Sequence, residues 1–277
     1  MSARPTAPPA DAGPTPPPDR RRAALLAACA VALLGLLAVA ALAPLPFSVT
    51  HPGLTADVLG EHAGEPVITI TGAPVRDPEG ELRMTTITAT SPDATVRLGD
   101  VVSGYFAGDR AVMPREAVYP VGENTEEIQE HNSAQMRESQ HAAVTAALSH
   151  LDLDPSEVSV ELRLADVGGP SAGLLFSLGI VDLLEGDGRG GDLTGGLTVA
   201  GTGTIDPDGR VGAVGGVPLK TQAARRDGAT VFLVPRDECG DATADVPDGL
   251  RLLPVTTLGG AVEDLRALAA GEPVPSC

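Results

Sequence analysis

An uncharged apolar run near the N-terminus constrains the fold more than any other feature of this sequence. It extends from Ala23 to Ala43 and directly follows three arginines, Arg20 to Arg22. At about 1.5 Å per helical residue, a run of this length crosses the roughly 30 Å hydrocarbon core of a bilayer. Positive charge marks the cytoplasmic side of such a helix. We therefore expect a membrane anchor over residues 23–45, a cytoplasmic N-terminus and an extracytoplasmic chain from residue 46 onward.

A cleaved signal peptide is the alternative interpretation of the same run. Ala41-Leu42-Ala43 resembles the small-residue cleavage site of such peptides. Their apolar part is normally about 7–15 residues long, so the greater length here favours an uncleaved anchor. Residues 1–22 are mostly rich in Pro and Ala without apolar periodicity, which predicts a disordered cytoplasmic tail.

The composition limits the core and the partners of the chain. Hydrophobic residues make up 43% of the 277 residues but aromatic residues only 2%, so Val, Leu, Ile and Ala must form the core. The formal net charge of −18 argues against nucleic acid, because phosphates require basic partners. Solubility is the simplest explanation of the acidity, and a preference for basic substrates is the alternative. No spacing typical of metal ligands occurs, so we expect no metal or other cofactor.

The order of strand-like and helical segments predicts an α+β (mixed α/β) fold. The β-branched segments 67–71 and 82–89 flank the turn sequence Asp77-Pro-Glu-Gly80 and predict a hairpin or small sheet. They belong to a β-rich extracytoplasmic region that we assign to residues 46–122. A second domain is expected over residues 123–277.

Alternating and apolar runs predict the first elements of this second domain. A helix is expected from Asn124 to about His150. The strict alternation from Val158 to Leu164 predicts a half-buried strand, and the apolar run from Leu174 to Leu184 predicts a buried helix.

The turn between that strand and that helix carries a candidate nucleophile. Gly169-Pro170-Ser171-Ala172-Gly173 matches the G-x-S-x-G pattern of a nucleophile elbow. The glycines allow a tight turn beside the Ser171 hydroxyl, and the helix N-terminus offers N–H groups to a developing oxyanion. A purely structural turn is the alternative, because the pattern alone is weak.

The histidines exclude the most familiar partner for this serine. All of them precede Ser171 in the chain, at positions 51, 62, 131, 141 and 150. The Ser–Asp–His order of an α/β-hydrolase is therefore impossible. A His–Asp–Ser order would need a histidine from the helix at 124–150, where we interpret the histidines as partly solvated. A Ser-x-x-Lys pair fails because Leu174 occupies the lysine position.

Lys220 is the only lysine in the chain and is the remaining candidate base. A lysine accepts a proton only when it is neutral, which requires burial in apolar surroundings. Val217, Leu219 and Ala223 provide such neighbours. An ordinary surface lysine is the alternative, but arginine fills such positions elsewhere in this chain, and arginine cannot act as a base.

Three motifs in order resemble the proteolytic domain of Lon-type serine peptidases. They are Gly169-Pro-Ser-Ala-Gly173, Thr202-Gly203 and Gly215-Gly216-x-x-x-Lys220, and the similarity covers about residues 156–260. The apolar run and the segment 46–150 resemble the membrane-anchored, PDZ-containing Lon-like proteases.

The resemblance implies roles for three residues and leaves two features without a counterpart. Ser171 would be the nucleophile, Lys220 the general base and Thr202 a support of this dyad. Lon proteases commonly carry an aspartate where Gly168 stands, and Asp166 lies further upstream, so no acid is assigned. Only seven residues separate the long helix from the next strand, which leaves no room for a PDZ domain.

These features together predict an ATP-independent, membrane-anchored serine endopeptidase that cleaves polypeptides outside the cytoplasm. A P-loop cannot occur in this sequence, because its only lysine follows Leu219 instead of glycine. The expected partners are polypeptide substrates and the membrane through residues 23–45, with neither ATP nor nucleic acid; the resemblance also implies a homo-oligomeric ring. The alternative is a non-catalytic Lon-fold module for binding or assembly at the membrane.

The cysteines predict one disulfide. Cys239 and Cys277 lie in the expected extracytoplasmic part, where an even pair favours a bridge. Two free thiols are the alternative. Cys29 falls within the apolar run and is interpreted as a small packing residue.

Overall fold

The computed structural model describes residues 20–119, 125–164 and 170–277. The predicted tail up to residue 19 lies outside these ranges, as do Asn124, Asp166, Gly168 and Gly169. The remaining chain forms helices α1–α8, strands β1–β12 and two short 3-10 turns.

The helices have the following bounds: α1 (Arg20–Leu42), α2 (Leu98–Phe106), α3 (Arg115–Val118), α4 (Thr125–His150), α5 (Gly173–Leu184), α6 (Val217–Arg226), α7 (Cys239–Ala242) and α8 (Leu258–Ala269). The strands are β1 (Phe47–Asp57), β2 (Glu61–His62), β3 (Glu65–Pro66), β4 (Ile68–Thr71), β5 (Glu81–Ala89), β6 (Ala111–Pro114), β7 (Ser159–Leu162), β8 (Thr198–Gly201), β9 (Thr204–Ile205), β10 (Val211–Gly212), β11 (Val231–Pro235) and β12 (Arg251–Val255). The 3-10 turns are Pro170–Ala172 and Arg236–Glu238.

A mixed six-stranded sheet organises the fold, in the order β12-β11-β8-β5-β1-β6. Strands β12, β11, β8 and β5 run parallel to one another, whereas β1 pairs antiparallel with both β5 and β6. The predicted mixed α/β class is confirmed. Strands from both predicted regions, 46–122 and 123–277, share this one sheet, and the division between them stays a prediction.

The predicted hairpin of segments 67–71 and 82–89 is wrong. Strand β4 pairs with β7, whereas β5 pairs with β1 and β8 in the main sheet. The reason lies in α5, which contacts both β4 and β5. Because α5 is apolar all round, it needs cover on more than one side, and both segments contribute to this cover.

Helix α5 is the centre of the core, as its apolar run predicts. Every residue from Gly173 to Leu183 is buried. At Gly179 an added Cβ would lie 2.7 Å from Ile68 Cδ1, so the missing side chain lets β4 approach closely. Helix α4 packs along another side of α5, where Ser177 Oγ donates to the carbonyl oxygen of Ala143 at 3.1 Å.

Residues 198–205 form two short strands separated by a break. Strand β8 ends at Gly201, and β9 begins at Thr204. Strand β9 then forms a hairpin with β10 around the turn Asp206–Gly209, where Gly209 has a φ of 79°. The interruption leaves Thr202 and Gly203 outside both strands, at the end of a central strand.

Helix α1 is long and apolar enough to cross a membrane. Its residues are exposed along its whole length. A signal sequence near the N-terminus would meet the same criterion, so both interpretations of this run remain. After α1, Leu45 pairs with Val96 through an isolated antiparallel bridge.

Candidate active site

Ser171 lies in the 3-10 turn Pro170–Ala172, immediately before α5 begins at Gly173. Its side chain is half-buried, whereas Ala172 is only 1% exposed. The first turn of a helix has free N–H groups, which suit an oxyanion. At Gly173 an added Cβ would lie 2.9 Å from Ile205, so the turn requires a small residue there.

The segment between β8 and β9 fixes this turn. Gly203 N donates to the Ser171 carbonyl oxygen at 2.8 Å, and Leu174 N donates to the Gly203 carbonyl oxygen at 3.2 Å. From helix α4, Ser139 Oγ donates to the Pro170 carbonyl oxygen at 3.0 Å. The serine is therefore positioned from two independent parts of the chain.

Lys220 projects from the first turns of α6 and is only 3% exposed. Its Nζ donates to Thr202 Oγ1 at 3.0 Å, and the same hydroxyl lies 3.3 Å from the Ser171 carbonyl oxygen, to which it donates. Thr202 is completely buried. One hydroxyl thus connects the predicted base to the backbone of the predicted nucleophile.

Burial lowers the pKa of Lys220 from 10.5 to about 8, and the negative charge of Glu238 partly opposes this shift. The cause is desolvation, which disfavours the charged ammonium. A pKa near 8 gives Lys220 a substantial neutral fraction in mildly alkaline solution. That is the state in which an amine accepts a proton.

Ser171 and Lys220 line the same cavity, which has a volume of about 690 Å³. Among the hydrogen bonds of the described residues, none joins Ser171 Oγ to Lys220 Nζ. The structure therefore brings these two residues to one cavity and links them through Thr202. Pro170 also lines this cavity.

Helix α4 forms a second wall of the cavity that sequence reasoning missed. His131, Asn132 and Gln135 line it. Their spacing places them on one helical face, but it is also the spacing of solvated helix residues, so it carried no specific signal. His131 is therefore, with Lys220 and Tyr119, one of the titratable side chains that line the cavity of Ser171.

The predicted cysteine pair is joined in the structure, with the Cα atoms of Cys239 and Cys277 5.4 Å apart. Cys29 is free and exposed on α1. Glu238, whose negative charge raises the pKa of Lys220, directly precedes Cys239.

Within the described ranges, no cluster of His, Cys, Asp or Glu could hold a metal ion.

Comparison with known proteins identifies the family of this fold. The profile of the Lon protease (S16) C-terminal proteolytic domain matches residues 111–265, more than half of the chain. The Lon protease of Mycolicibacterium smegmatis is 31% identical over 139 residues, which cover 46% of this chain and 17% of that protein.

Two further relatives match shorter stretches. The Lon protease of Rhizobium meliloti (strain 1021) is 36% identical over 98 residues, 34% of this chain and 11% of that protein. The Lon protease of Azospirillum brasilense is 39% identical over 94 residues, 32% of this chain and 11% of that protein. This chain therefore matches only a small part of each relative's length. On the profile that spans residues 111–265, the chain belongs to the Lon protease (S16) family through its C-terminal proteolytic domain.

Proposed function

We propose that this protein is a serine endopeptidase in which Ser171 is the nucleophile and Lys220 the general base. The observation that carries the proposal is the buried Lys220, the only lysine of the chain, which shares a cavity with Ser171 and donates to Thr202. Family membership supports the reaction class. Thr202 holds the amine and the serine turn in a fixed relation.

The reaction begins with neutral Lys220. Ser171 Oγ attacks the carbonyl carbon of the substrate while its proton passes to Lys220 Nζ. The carbon–nitrogen bond then breaks, the amine product takes that proton, and an ester to Ser171 remains. Water attacks the ester, Lys220 accepts the proton from this water and returns it to Ser171 Oγ, and the carboxylic product leaves.

The N–H groups at the start of α5 would stabilise the oxyanion in both steps. They include the predicted turn residues Ala172 and Gly173, whereas Gly169 lies outside the described residues. A helix N-terminus concentrates such donors and their partial positive charge. Their contribution grows as the oxyanion forms, which is the requirement for catalysis.

The proposal includes ATP independence and a location outside the cytoplasm. The sequence offers no lysine for a P-loop, since Lys220 follows Leu219 and lies in the cavity. The apolar helix α1 and the Cys239–Cys277 disulfide both fit a membrane-anchored domain in an oxidising compartment. The expected substrates are peptides, unfolded chains and segments of membrane-associated proteins.

The test compares the full-length chain with its Ser171→Ala and Lys220→Met variants on unfolded casein, with and without ATP. We expect cleavage by the wild type at equal rates in both conditions, and loss of cleavage in both variants. A wild type no more active than the two variants would refute the peptidase. It would leave a non-catalytic binding or assembly module as the function.

The pH dependence separates Lys220 from His131 as the base. With Lys220, kcat/KM should fall about tenfold for each pH unit below a midpoint near 8, because protonated lysine accepts no proton. A His131→Gln variant should keep that midpoint. A midpoint that disappears in His131→Gln would instead assign the base to His131.

A further inference from the structure

Helix α2 carries an apolar stripe that the described part of the chain leaves exposed. Successive helical residues rotate by about 100°, so residues 98, 102, 105 and 106 lie on one face. All four are large, apolar or aromatic, and exposed. Their exposed fractions are 40% for Leu98, 47% for Val102, 78% for Tyr105 and 81% for Phe106.

The opposite face of α2 packs onto the sheet. Gly104 is buried, and an added Cβ there would lie 2.9 Å from Val112 Cγ2 and 3.5 Å from Val49 Cγ1. These two valines belong to β6 and β1, at one edge of the six-stranded sheet. Because the helix lies this close to the sheet, its orientation is fixed and its apolar stripe points away from the core.

The position of α2 next to α1 suggests what covers this stripe. Helix α2 contacts α1. Three residues after α1 ends, Leu45 N donates to the Val96 carbonyl oxygen at 2.9 Å, and Val96 lies two residues before α2 begins. The stripe is thus held where the chain leaves the apolar helix, which is where a membrane surface would lie.

We propose that α2 is an interfacial helix whose stripe inserts into the bilayer leaflet facing the protease domain. This inference rests on the membrane anchoring included in the proposed function. Short amphipathic helices lie in the membrane plane with their apolar side about 5–10 Å below the headgroups. Tyr105 suits this depth because tyrosine is enriched at the membrane–water interface, and Phe106 is typical of the apolar face of an interfacial helix.

The consequence concerns the substrates. After α2, the chain continues through β6 and α3, and Met113 of β6, Ala117 of α3 and Tyr119 directly after α3 line the active-site cavity. A membrane-seated α2 therefore holds one wall of the cavity close to the bilayer surface. The preferred substrates would be polypeptide segments that emerge from the membrane.

The absence of Trp from the sequence allows a direct test with single-Trp sensors. The full-length chain is reconstituted into phosphatidylcholine vesicles whose acyl chains carry bromine either near the headgroup or near the bilayer centre. Phe106→Trp reports on the stripe, and Tyr105→Trp serves as a second sensor. Leu34→Trp reports on α1, and Glu263→Trp on α8, which packs beside β12 at the opposite edge of the sheet, reports on solvent.

We expect a blue shift of the Phe106→Trp emission and stronger quenching by the shallow bromines than by the deep ones. Leu34→Trp should be quenched most by the deep bromines, and Glu263→Trp by neither. If Leu34→Trp is quenched but both stripe sensors behave like Glu263→Trp, the interfacial helix is refuted while the anchor stands. A blue shift without quenching refutes it as well, because the stripe is then covered by protein. If Leu34→Trp is unquenched, the anchoring itself fails.

Discussion

Lys220 and Asp182 are both buried ionisable side chains, and burial shifts the pKa of each in the direction that favours its neutral form. Their surroundings differ. Lys220 is 3% exposed, and its pKa falls from 10.5 to about 8. Asp182 in α5 is completely buried, and its pKa rises from 3.8 to about 6. Burial is the largest cause of both shifts, and the nearby Asp192 also raises the pKa of Asp182.

The two sites differ in what the ionisable group can reach. Lys220 lines the cavity that also contains Ser171. Asp182 contacts the glycine-rich loop of residues 186–196, which follows α5. Its Oδ1 accepts a hydrogen bond from Leu193 N of this loop at 2.8 Å. Its Oδ2 has no hydrogen-bond partner among the described residues. A shifted pKa therefore marks burial, and only access to a cavity and a nucleophile marks a catalytic group.

The largest expected effect is the loss of activity when Lys220 is replaced, compared with the replacement of Asp182. Lys220→Met should reduce kcat/KM on casein by about 10³-fold, because a positioned general base contributes roughly 10²–10⁴-fold. Asp182→Asn keeps an acceptor for Leu193 N and should retain the wild-type rate. A large loss of activity in a folded Asp182→Asn variant would remove the distinction between the two sites.

The same Lys220→Met variant should be more stable than the wild type, opposite to its effect on activity. Below pH 8 the folded protein holds a buried ammonium, and the shift from 10.5 corresponds to at most about 3 kcal/mol of destabilisation. This cost is fully present below pH 8 and disappears as the pH rises toward 10.5. Denaturant unfolding at pH 7 and pH 10 measures it. Destabilisation by Lys220→Met at pH 7 would mean that the amine is better solvated than its burial implies.

Thr202 is the hydrogen-bond partner of Lys220, as Leu193 N is the partner of Asp182. Removal of the Thr202 hydroxyl should reduce kcat/KM less than removal of the Lys220 amine. Thr202→Val removes the hydroxyl that accepts from Lys220 Nζ and donates to the Ser171 carbonyl oxygen. Loss of one such hydrogen bond is worth about 1.4 kcal/mol, or roughly tenfold in kcat/KM. Thr202→Ser keeps the hydroxyl and is the matched control. Equal rates in Thr202→Val and Thr202→Ser would show that the hydroxyl does not position the dyad.

The sequence predicts one of these two sites much better than the other. Ser171 follows from its glycine-flanked turn and Lys220 from being the only lysine of the sequence, whereas Thr202 is implied by the resemblance to Lon-type peptidases. Asp182 interrupts an apolar run, and no local pattern distinguishes a buried carboxylate from an exposed one in such a helix. Its burial follows from the cover that β4, β5 and α4 place around α5.

Long-range pairing also explains the other differences between prediction and structure. The two segments predicted as a hairpin have suitable strand residues and a suitable turn, but they pair with β7 and with β1 and β8 instead, and both contact α5. The cavity wall on α4 depends likewise on how α4 packs against α5. Neither contact has a signature within one segment.

The smallest expected effect is the change in the free energy of unfolding caused by Asp182→Asn. The pH dependence of this change tests the assignment of the buried carboxylate. Above pH 6 the folded protein holds a buried carboxylate, and this cost is relieved as the pH falls from 6 toward 3.8. Asp182→Asn should therefore stabilise the protein at pH 7 by about 1 kcal/mol, since the amide also leaves a buried donor without a partner. The gain should vanish near pH 4.

Asp187→Asn is the matched control on the same loop. Arg189 N and Gly191 N donate to Asp187 Oδ1, and the first of these bonds is the largest cause that lowers the pKa of this carboxyl. Its ionised form is thus favoured in the folded state, so Asp187→Asn should lose stability at pH 7, and the loss should shrink as the pH falls. Unfolding curves of the three proteins at pH 7 and pH 4 test both signs. Parallel trends in the two variants would contradict the assignment of Asp182 as a buried carboxylate whose charged form is disfavoured.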